Sequence, residues 1–393
     1  MSQNHDRLKY MKTDVDLIII GAGCAGLSLG MQLSAMGENS PKTVLIDPRK
    51  SYQNDRTWCF WSSENKTWNN IANHHWNQFL VKTSAQSVVV DCSFAPYRVI
   101  SARDFYDHVL AAISSNTALE IKTDTTVIGN PKLINGKWYV HTSNGEFNAK
   151  TIVDTRPFPV DPQSGATLWQ SFLGCEIESI DPIFDPCIAH LMNFCDANND
   201  YVGFTYLLPL TPSRALIEFT VFAERPYCAL QLQGHLGDSI LQYTQGGSYK
   251  VNRTEIGLIP MGIPNYPKQL KMEKTYVFAG LTAGAARPAT GYAFQRIQIW
   301  AKECAISLCQ NQHPIGHCKD KVLLKTMDAI FLKVIRDNPK LAPDLFISLF
   351  SKVKSQQLVR FLSDQGNLFD YLSVINALPP APFIKHLLKR HRT

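Results

Sequence analysis

Val15-Asp16-Leu17-Ile18-Ile19-Ile20-Gly21-Ala22-Gly23-Cys24-Ala25-Gly26 is the stretch from which the fold can be read. The β-branched run up to Ile20 shows no polar alternation, the pattern of a parallel strand covered on both faces. Helical spacing at Leu27, Met31 and Leu33 or Ser34 predicts a helix over 24–37, and Thr43–Asp47 predicts a second buried strand. Together they form a β-α-β unit of about 30 residues. Residues Gly21, Ala22, Gly23, Cys24, Ala25 and Gly26 spell G-x-G-x-x-G between strand and helix, and Asp47 closes the second strand 21 residues after Gly26. In that setting the pattern is a dinucleotide fingerprint. Gly21 makes the tight turn, Gly23 lets a pyrophosphate approach the backbone, and Gly26 packs the helix on the sheet. The helix N-terminus supplies partial positive charge, and Asp47 accepts from ribose hydroxyls.

The run Leu17–Gly37 is also 21 uncharged residues, long enough for a membrane span of about 20. Asp14 and Asp16 precede it without a basic flank and five glycines interrupt it, so the dinucleotide reading takes precedence. No other segment has the length, and no transmembrane helix is expected.

Beyond Pro48 the character changes. Residues 57–76 hold four of the seven tryptophans, and strands such as Ser87–Val90 follow. A helix is predicted over Ala102–Ser114 with Ser101 as cap. Strands at Lys137–His141 and Thr151–Asp154 flank an Asn144-Gly145 turn. Residues 170–265 look strand-rich. Tyr276–Gly280 returns to the buried-strand pattern and leads into a second Gly-rich turn carrying Gly280, Gly284 and Gly291, with a helix predicted from about Thr290 to Leu308. A plain NAD dehydrogenase would instead continue with alternating strands and helices. The late second set of backbone donors suits an isoalloxazine ring and its phosphates, and so points to FAD.

At 393 residues the chain predicts two to three domains. With 45% hydrophobic and 18% charged residues it is too apolar for disorder, and 22 Gly and 22 Pro without a period exclude a collagen-like chain. The net charge of +6 does not argue for nucleic acid. That charge is unevenly placed: residues 321–393 hold 12 Lys and Arg against 5 Asp and Glu. The ten cysteines form no C-x-x-C pair, which leaves a zinc ribbon or redox motif unsupported and fits a reducing cytoplasm. His74-His75 has no companion at ligand spacing, so no metal site is expected.

More specific stretches remain: Arg56-Thr57-Trp58-Cys59-Phe60-Trp61, Leu208–Thr220, Gly257-Leu258-Ile259-Pro260-Met261 and Gly284-Ala285-Ala286-Arg287-Pro288-Ala289-Thr290-Gly291-Tyr292. In these, and in matching order from about residue 14 to the mid-300s, the chain resembles the flavin-dependent lycopene cyclases, in their bacterial β-cyclase branch. The resemblance implies an α/β, FAD-binding Rossmann-like fold of the aromatic-hydroxylase/geranylgeranyl-reductase type, with a strand-rich substrate domain and a helical C-terminal region. The expected division is a discontinuous FAD-binding domain (14–60, 98–160 and 270–310), a substrate-binding domain (61–97 and 161–269) and a basic helical region (311–393). Arg56, Asp154, Gly280, Gly284 and Gly291 join the fingerprint as expected cofactor-binding residues.

The implied reaction converts the linear ψ-ends of lycopene to β-rings, through γ-carotene to β-carotene, with no net redox change. It needs reduced FAD, with NAD(P)H as external reductant. Protonation of the terminal double bond makes a tertiary cation, an internal double bond closes the ring, and a proton is lost. Glu218, in the apolar strand Ala215–Phe222, is the candidate acid, because burial disfavours a carboxyl's charged form. From spacing alone a strand Glu paired with Arg214 or facing solvent is the commoner case; the family motif is what gives Glu218 its role. Two departures stand out. Phe219 replaces a second acid that relatives often carry, so a role for two adjacent carboxylates is expected to be absent. Pro157 follows Arg156 where relatives often have Gly.

The tryptophans at 58–76 are expected either to shield a cation with their π faces or, at Trp68 and Trp76 especially, to pack a core. A flavin monooxygenase or polyprenyl reductase on the same fold remains the alternative, and a flavin-fold lipid carrier a third. Because lycopene is insoluble in water, the enzyme is expected to take it from a bilayer while sitting on the cytoplasmic, inner face of the membrane, in contact with other carotenoid enzymes. The basic tail, with Phe331, Leu332, Leu345, Phe346, Phe350, Phe361, Leu362 and Phe369, is read as helices lying in the headgroup plane; an ordinary helical cap is the competing reading.

Overall fold

The structure, a computed structural model, describes residues 12–62, 66–157, 166–194, 198–262 and 273–389. The opening stretch forms the strand Lys12–Ile20, in which Leu17 to Ile20 are all at most 1% exposed. It runs parallel between Thr43–Ile46 and Gly145–Asp154. Leu119–Lys122 extends one side in parallel, and Tyr276–Phe278 pairs in parallel with the end of Gly145–Asp154. The strands Lys137–Thr142 and Lys132–Ile134 complete this seven-stranded sheet as antiparallel neighbours. Its two-sided burial explains the unbroken apolar runs. On one face Leu17 and Ile19 pack with the helices Cys24–Ser34, Ala102–Ser114 and Phe294–Cys309. On the other face Val15, Ile18 and Ile20 meet Trp138 and Val140.

Ser101 caps its helix as predicted, its hydroxyl accepting from the Asp104 N–H at 3.2 Å. The first helix ends at Ser34, three residues early, and a short 3-10 turn, Gly37–Asn39, follows. The helix predicted from Thr290 begins at Phe294, because Gly284 and Gly291 both sit at positive φ and hold residues 280–293 in a turn.

A second seven-stranded sheet is ordered Tyr249–Met261, Leu168–Ser179, Arg214–Ala223, Tyr201–Pro209, Ile188–Phe194, Gln78–Lys82 and Ser87–Asp91. All its pairings are antiparallel except Ile188–Phe194 with Gln78–Lys82. Its outer face is covered by the helix Ala229–Thr244, with Leu232, Leu236 and Ile240 packed on Ile217, Phe219 and Val221. The sequence reading carried no helix there; its apolar residues sit four apart among Gln and Gly, a thin signal inside a strand-rich region. A small sheet of Thr57–Trp61, Tyr97–Ser101 and His74–Trp76 lies between the two large ones, Phe60 and Ile100 joining the first core and Trp76 and Tyr97 the second.

The C-terminal region folds as Val322–Asp337, Ala342–Lys352, Ser355–Leu362, Leu368–Ala377 and Pro380–Lys389. Here the headgroup-plane expectation is corrected. Leu332, Leu345, Phe346, Phe350, Phe361 and Leu362 are buried and Phe331 is half-buried, so their apolar faces meet the second sheet rather than a bilayer. Of that set only Phe369, 74% exposed, faces outward. The cap is tied down by a buried guanidinium: Arg287 of the second Gly-rich turn bonds Asp328 (3.0 and 3.1 Å) and the Phe361 carbonyl. Among the described residues no helix is long and apolar enough to cross a membrane. The sequence suggests a short polar lead over 1–13, but Lys12 and Thr13 already belong to the first strand and 1–11 lie outside the described residues; of the basic run Lys385–Arg392, residues 390–392 lie outside them too.

Candidate active site

A cavity of about 1060 Å³ connects the fingerprint turn to the inner face of the second sheet, roofed by Phe346, Phe350 and Leu362 of the cap. Gly21, Gly23, Cys24 and Ala25 form one end of it. Gly21 has φ +92°, and a Cβ on Gly26 would overlap the Gly21 carbonyl oxygen, so turn and helix interlock only without side chains. At Gly23 a Cβ would instead fit without a clash, in ordinary contact with Arg49 Nη2 at 3.8 Å on the cavity wall. The helix Cys24–Ser34 has no side-chain cap and no acid in its first turn, which leaves its N–H groups open to an anion.

Asp47 is buried beside it. Its Oδ2 accepts from Ala22 N (2.7 Å), and Oδ1 from Arg49 N (3.0 Å) and Nε (2.8 Å). Three donors leave lone-pair capacity on a carboxylate for a hydroxyl. Arg56 and Arg49 lie on the cavity wall. Sequence reasoning missed Arg49, which stands two residues after Asp47 and bridges it to the Tyr106 hydroxyl at 3.2 Å. The turn therefore fits a dinucleotide: a cradle that a Cβ would fill, an open helix end, a buried acid and two nearby cations.

The other expected cofactor residues divide. Gly280 and Gly291 line the cavity, whereas Gly284 and Asp154 do not. Asp154 stands one step behind, its Oδ2 taken by Arg156 Nη2 and the Tyr276 hydroxyl, each at 2.6 Å, and Arg156 is the residue on the wall. The Gly280 N–H donates to His317 Nε2 at 2.9 Å, and burial pushes that imidazole down to about 3, so it stays a neutral acceptor. Burial pushes the Cys24 thiol up to about 12, which makes it lining and not a nucleophile.

Glu218 lies on the opposite wall, where strand registry builds the site. Gly174 pairs with Glu218 on one side and with Glu255 on the other, and Glu218 pairs with Tyr206. One row across four strands therefore reads Glu255, Gly174, Glu218, Tyr206. A Cβ at Gly174 would stand 3.3 Å from both Glu218 Cβ and Glu255 Cγ, so the missing side chain is what lets the two acids meet. Glu218 is 8% exposed; it accepts from the Thr220 hydroxyl at 2.7 Å, and the Glu255 side chain lies beside it across the bare Gly174 position. Burial, and then the negative charge of Glu255, raise its carboxyl to about 8. The expected absence of a second carboxylate is thus corrected: position 219 is Phe, but Glu255 supplies the acid across the sheet. The signal for it was the alternation Arg253, Glu255, Gly257, which places these three on one face, though only registry shows whom they meet.

Aromatic groups close this end. Trp61, Tyr97, Tyr206 and Tyr292 line it, with the Tyr97 hydroxyl 2.8 Å from that of Tyr206 and 3.3 Å from that of Tyr292. Burial holds Tyr97 and Tyr206 neutral, well above the usual phenol range. Trp58 also lines the cavity. Trp68 stacks on Phe105 in the first core (ring centroids 5.5 Å apart), and Trp76 is fully buried with Nε1 on the Pro209 carbonyl (3.1 Å). His74 Nε2 lies 2.9 Å from the Pro186 carbonyl.

Solved structures define the class. A geranylgeranyl bacteriochlorophyll reductase-like protein from Thermoplasma acidophilum superposes with a TM-score of 0.61 at 14% identity, over 96% of this chain and 99% of that one. The flavin-dependent brominase Bmp2 gives 0.58 at 12% identity, over 97% and 100%. The fold is that of the FAD-dependent oxidoreductases of the aromatic-hydroxylase and geranylgeranyl-reductase type.

Within that class the sequence is more particular. The family described as lycopene cyclase protein matches residues 16–388, and the chain belongs to it. It is 22% identical to the lycopene beta-cyclase of Pantoea ananas, over 96% of this chain and 98% of that protein.

Proposed function

We propose that this enzyme is a lycopene β-cyclase, closing β-rings on a linear polyene by acid-initiated cation cyclisation without net redox change. The observation that carries the reading is Glu218: a buried carboxyl, pushed up to about 8 by burial and by Glu255, on the wall of an aromatic cavity that also contains a dinucleotide turn.

Glu218 transfers its proton to the terminal double bond, and the roof of Phe346, Phe350 and Leu362 keeps water from capturing the cation. The faces of Trp61, Tyr97, Tyr206 and Tyr292 offer negative quadrupole density without a nucleophile. In this reading FAD would be held by Gly21, Gly23, Cys24 and Ala25, by Asp47, Arg49 and Arg56, and by the turn at Gly280–Gly291, while Ala22 and Gly26 shape the fingerprint turn behind the wall and Asp154 holds Arg156 in place. When bound and reduced, the flavin would supply negative charge that stabilises the developing cation. NAD(P)H is the proposed source of its electrons.

The substrate is proposed to arrive from a bilayer on whose inner face the enzyme rests. Leu368, Phe369, Leu372 and Ile375 leave an exposed apolar stripe on the helix Leu368–Ala377, and Lys385 follows in sequence. That stripe replaces the buried cap residues as the membrane contact.

Anaerobic incubation with lycopene and catalytic reduced FAD, followed by chromatography, tests the reading. A cyclase makes several product molecules per flavin with no reductant consumed. A monooxygenase makes none, and a polyprenyl reductase consumes one reductant per product; either result overturns the proposal.

A further inference from the structure

We infer that Glu255 is a positioning residue for the reaction proposed above: it carries the charge of a two-carboxylate pair, so that the single proton stays on Glu218, facing the cavity. The purpose rests on the cyclase reading; the geometry does not.

The donors around the pair are unequal. Glu255 Oε2 accepts from Arg253 Nη1 at 2.5 Å and from the Thr57 hydroxyl at 2.8 Å. Arg253 is itself fixed, with Nε on Glu176 Oε2 at 2.7 Å and Nη2 2.6 Å from the Thr57 hydroxyl. These are the partners of a carboxylate. Glu218, by contrast, receives the neutral Thr220 hydroxyl. The groups around Glu218 are Glu176 from the strand of Gly174, Arg253 and Glu255 from the next, Tyr206 from the strand on its other side, and Cys59, Tyr97 and Tyr292 across the cavity. Burial pushes the Cys59 thiol up to about 12, so the thiol and the phenols are neutral and the acids and Arg253 set the field. Burial and Glu255 push the Glu218 carboxyl up; the Thr220 hydroxyl and, more weakly, Arg253 oppose them.

The pair also explains how the acid is restored. The proton leaves Glu218 as the alkene π electrons form a C–H bond. The site then holds two neighbouring carboxylates, an arrangement that strongly favours taking one proton back. Ring closure forms a C–C bond, and loss of a ring proton to Glu218 re-forms a double bond. The proton count closes, and no oxidant or reductant enters.

Infrared titration of the full-length protein tests the pair, following the protonated-carboxyl C=O band that Glu218→Gln removes. In the unmodified protein that band is expected to persist well above the ordinary glutamate range. In Glu255→Gln it should vanish at a pH lower by at least about one unit, as for the loss of a close like charge, and Glu255→Asp should largely restore it. The pH profile of lycopene turnover should move the same way. No such band in the unmodified protein, or an unchanged titration in Glu255→Gln, overturns the inference; the first result does so even if the variant fails to fold. The titration needs neither flavin nor polyene, so a protein that shows the pair but cyclises nothing refutes the proposed reaction and leaves the pair standing.

Discussion

The two ends of the cavity are built by opposite means. At the dinucleotide end, six consecutive residues from Gly21 to Gly26 make the turn, the cradle and the helix terminus, and Asp47 lies one strand away. At the acid end, Glu255, Gly174, Glu218 and Tyr206 come from four strands spread over more than 80 residues and meet only through registry. The first end is local chemistry held on a rigid β-α-β unit. The second exists only when the whole sheet is paired correctly, so small changes in the sheet should reach the acid while leaving the turn intact.

The largest expected effect separates the two ends outright. Glu218→Gln keeps a hydrogen-bonding shape but has no proton to give, so turnover should fall about 10²- to 10⁴-fold, with flavin content unchanged by absorbance. Retained turnover would move the acid elsewhere. Gly23→Leu should do the converse: Gly23 lines the cavity and a Cβ there meets nothing closer than Arg49 Nη2 at 3.8 Å, so the fold should survive while flavin affinity falls by at least about tenfold, which corresponds to about 1.4 kcal/mol. Stoichiometric yellow flavin in purified Gly23→Leu would refute the dinucleotide assignment.

Registry is probed more gently by Gly174→Ala. The new Cβ would press on both acids at 3.3 Å, and overpacking of this kind costs about 1–3 kcal/mol. Thermal unfolding should show that loss, with turnover reduced and flavin binding unchanged; a parallel loss of flavin would break the separation between the two ends.

The smallest effect concerns the outer surface. Phe369→Ser with Leu372→Ser should weaken sedimentation with anionic vesicles, and salt should weaken the remainder by screening. Surface substitutions are the cleaner probe here, because deleting the chain after about residue 320 would also remove Phe346, Phe350 and Leu362 from the cavity roof.

The contrast between the two ends also marks what was legible in the sequence. The fingerprint, the hairpin (whose turn falls at Ser143-Asn144, with Gly145 already in the strand) and the Ser101 cap were readable because each depends on neighbours within a few residues. Glu218 was readable as a buried strand acid, and its role came from a family motif. Glu255 was not readable, since nothing along the chain says that position 255 faces position 218. The cap failed for a related reason. Phe346 and Phe350 on an amphipathic helix of the basic C-terminal region carry the same pattern whether that face meets a membrane or a sheet, and the partner, not the pattern, decides.

Glu218 also makes a stability statement. Its folded carboxyl binds a proton more tightly than the unfolded chain does, so its contribution is fully present below the ordinary glutamate range and is lost as pH rises through about 8. Glu218→Gln should therefore remove part of the alkaline fall in stability.

The most direct test of the central claim, that a buried protonated carboxyl starts the reaction, is the pH dependence of anaerobic lycopene turnover with flavin kept reduced. The rate should be level on the acid side and fall by about tenfold per pH unit above about 8, as Glu218 gives up its proton. A rate that stays level or rises through that range would contradict the claim.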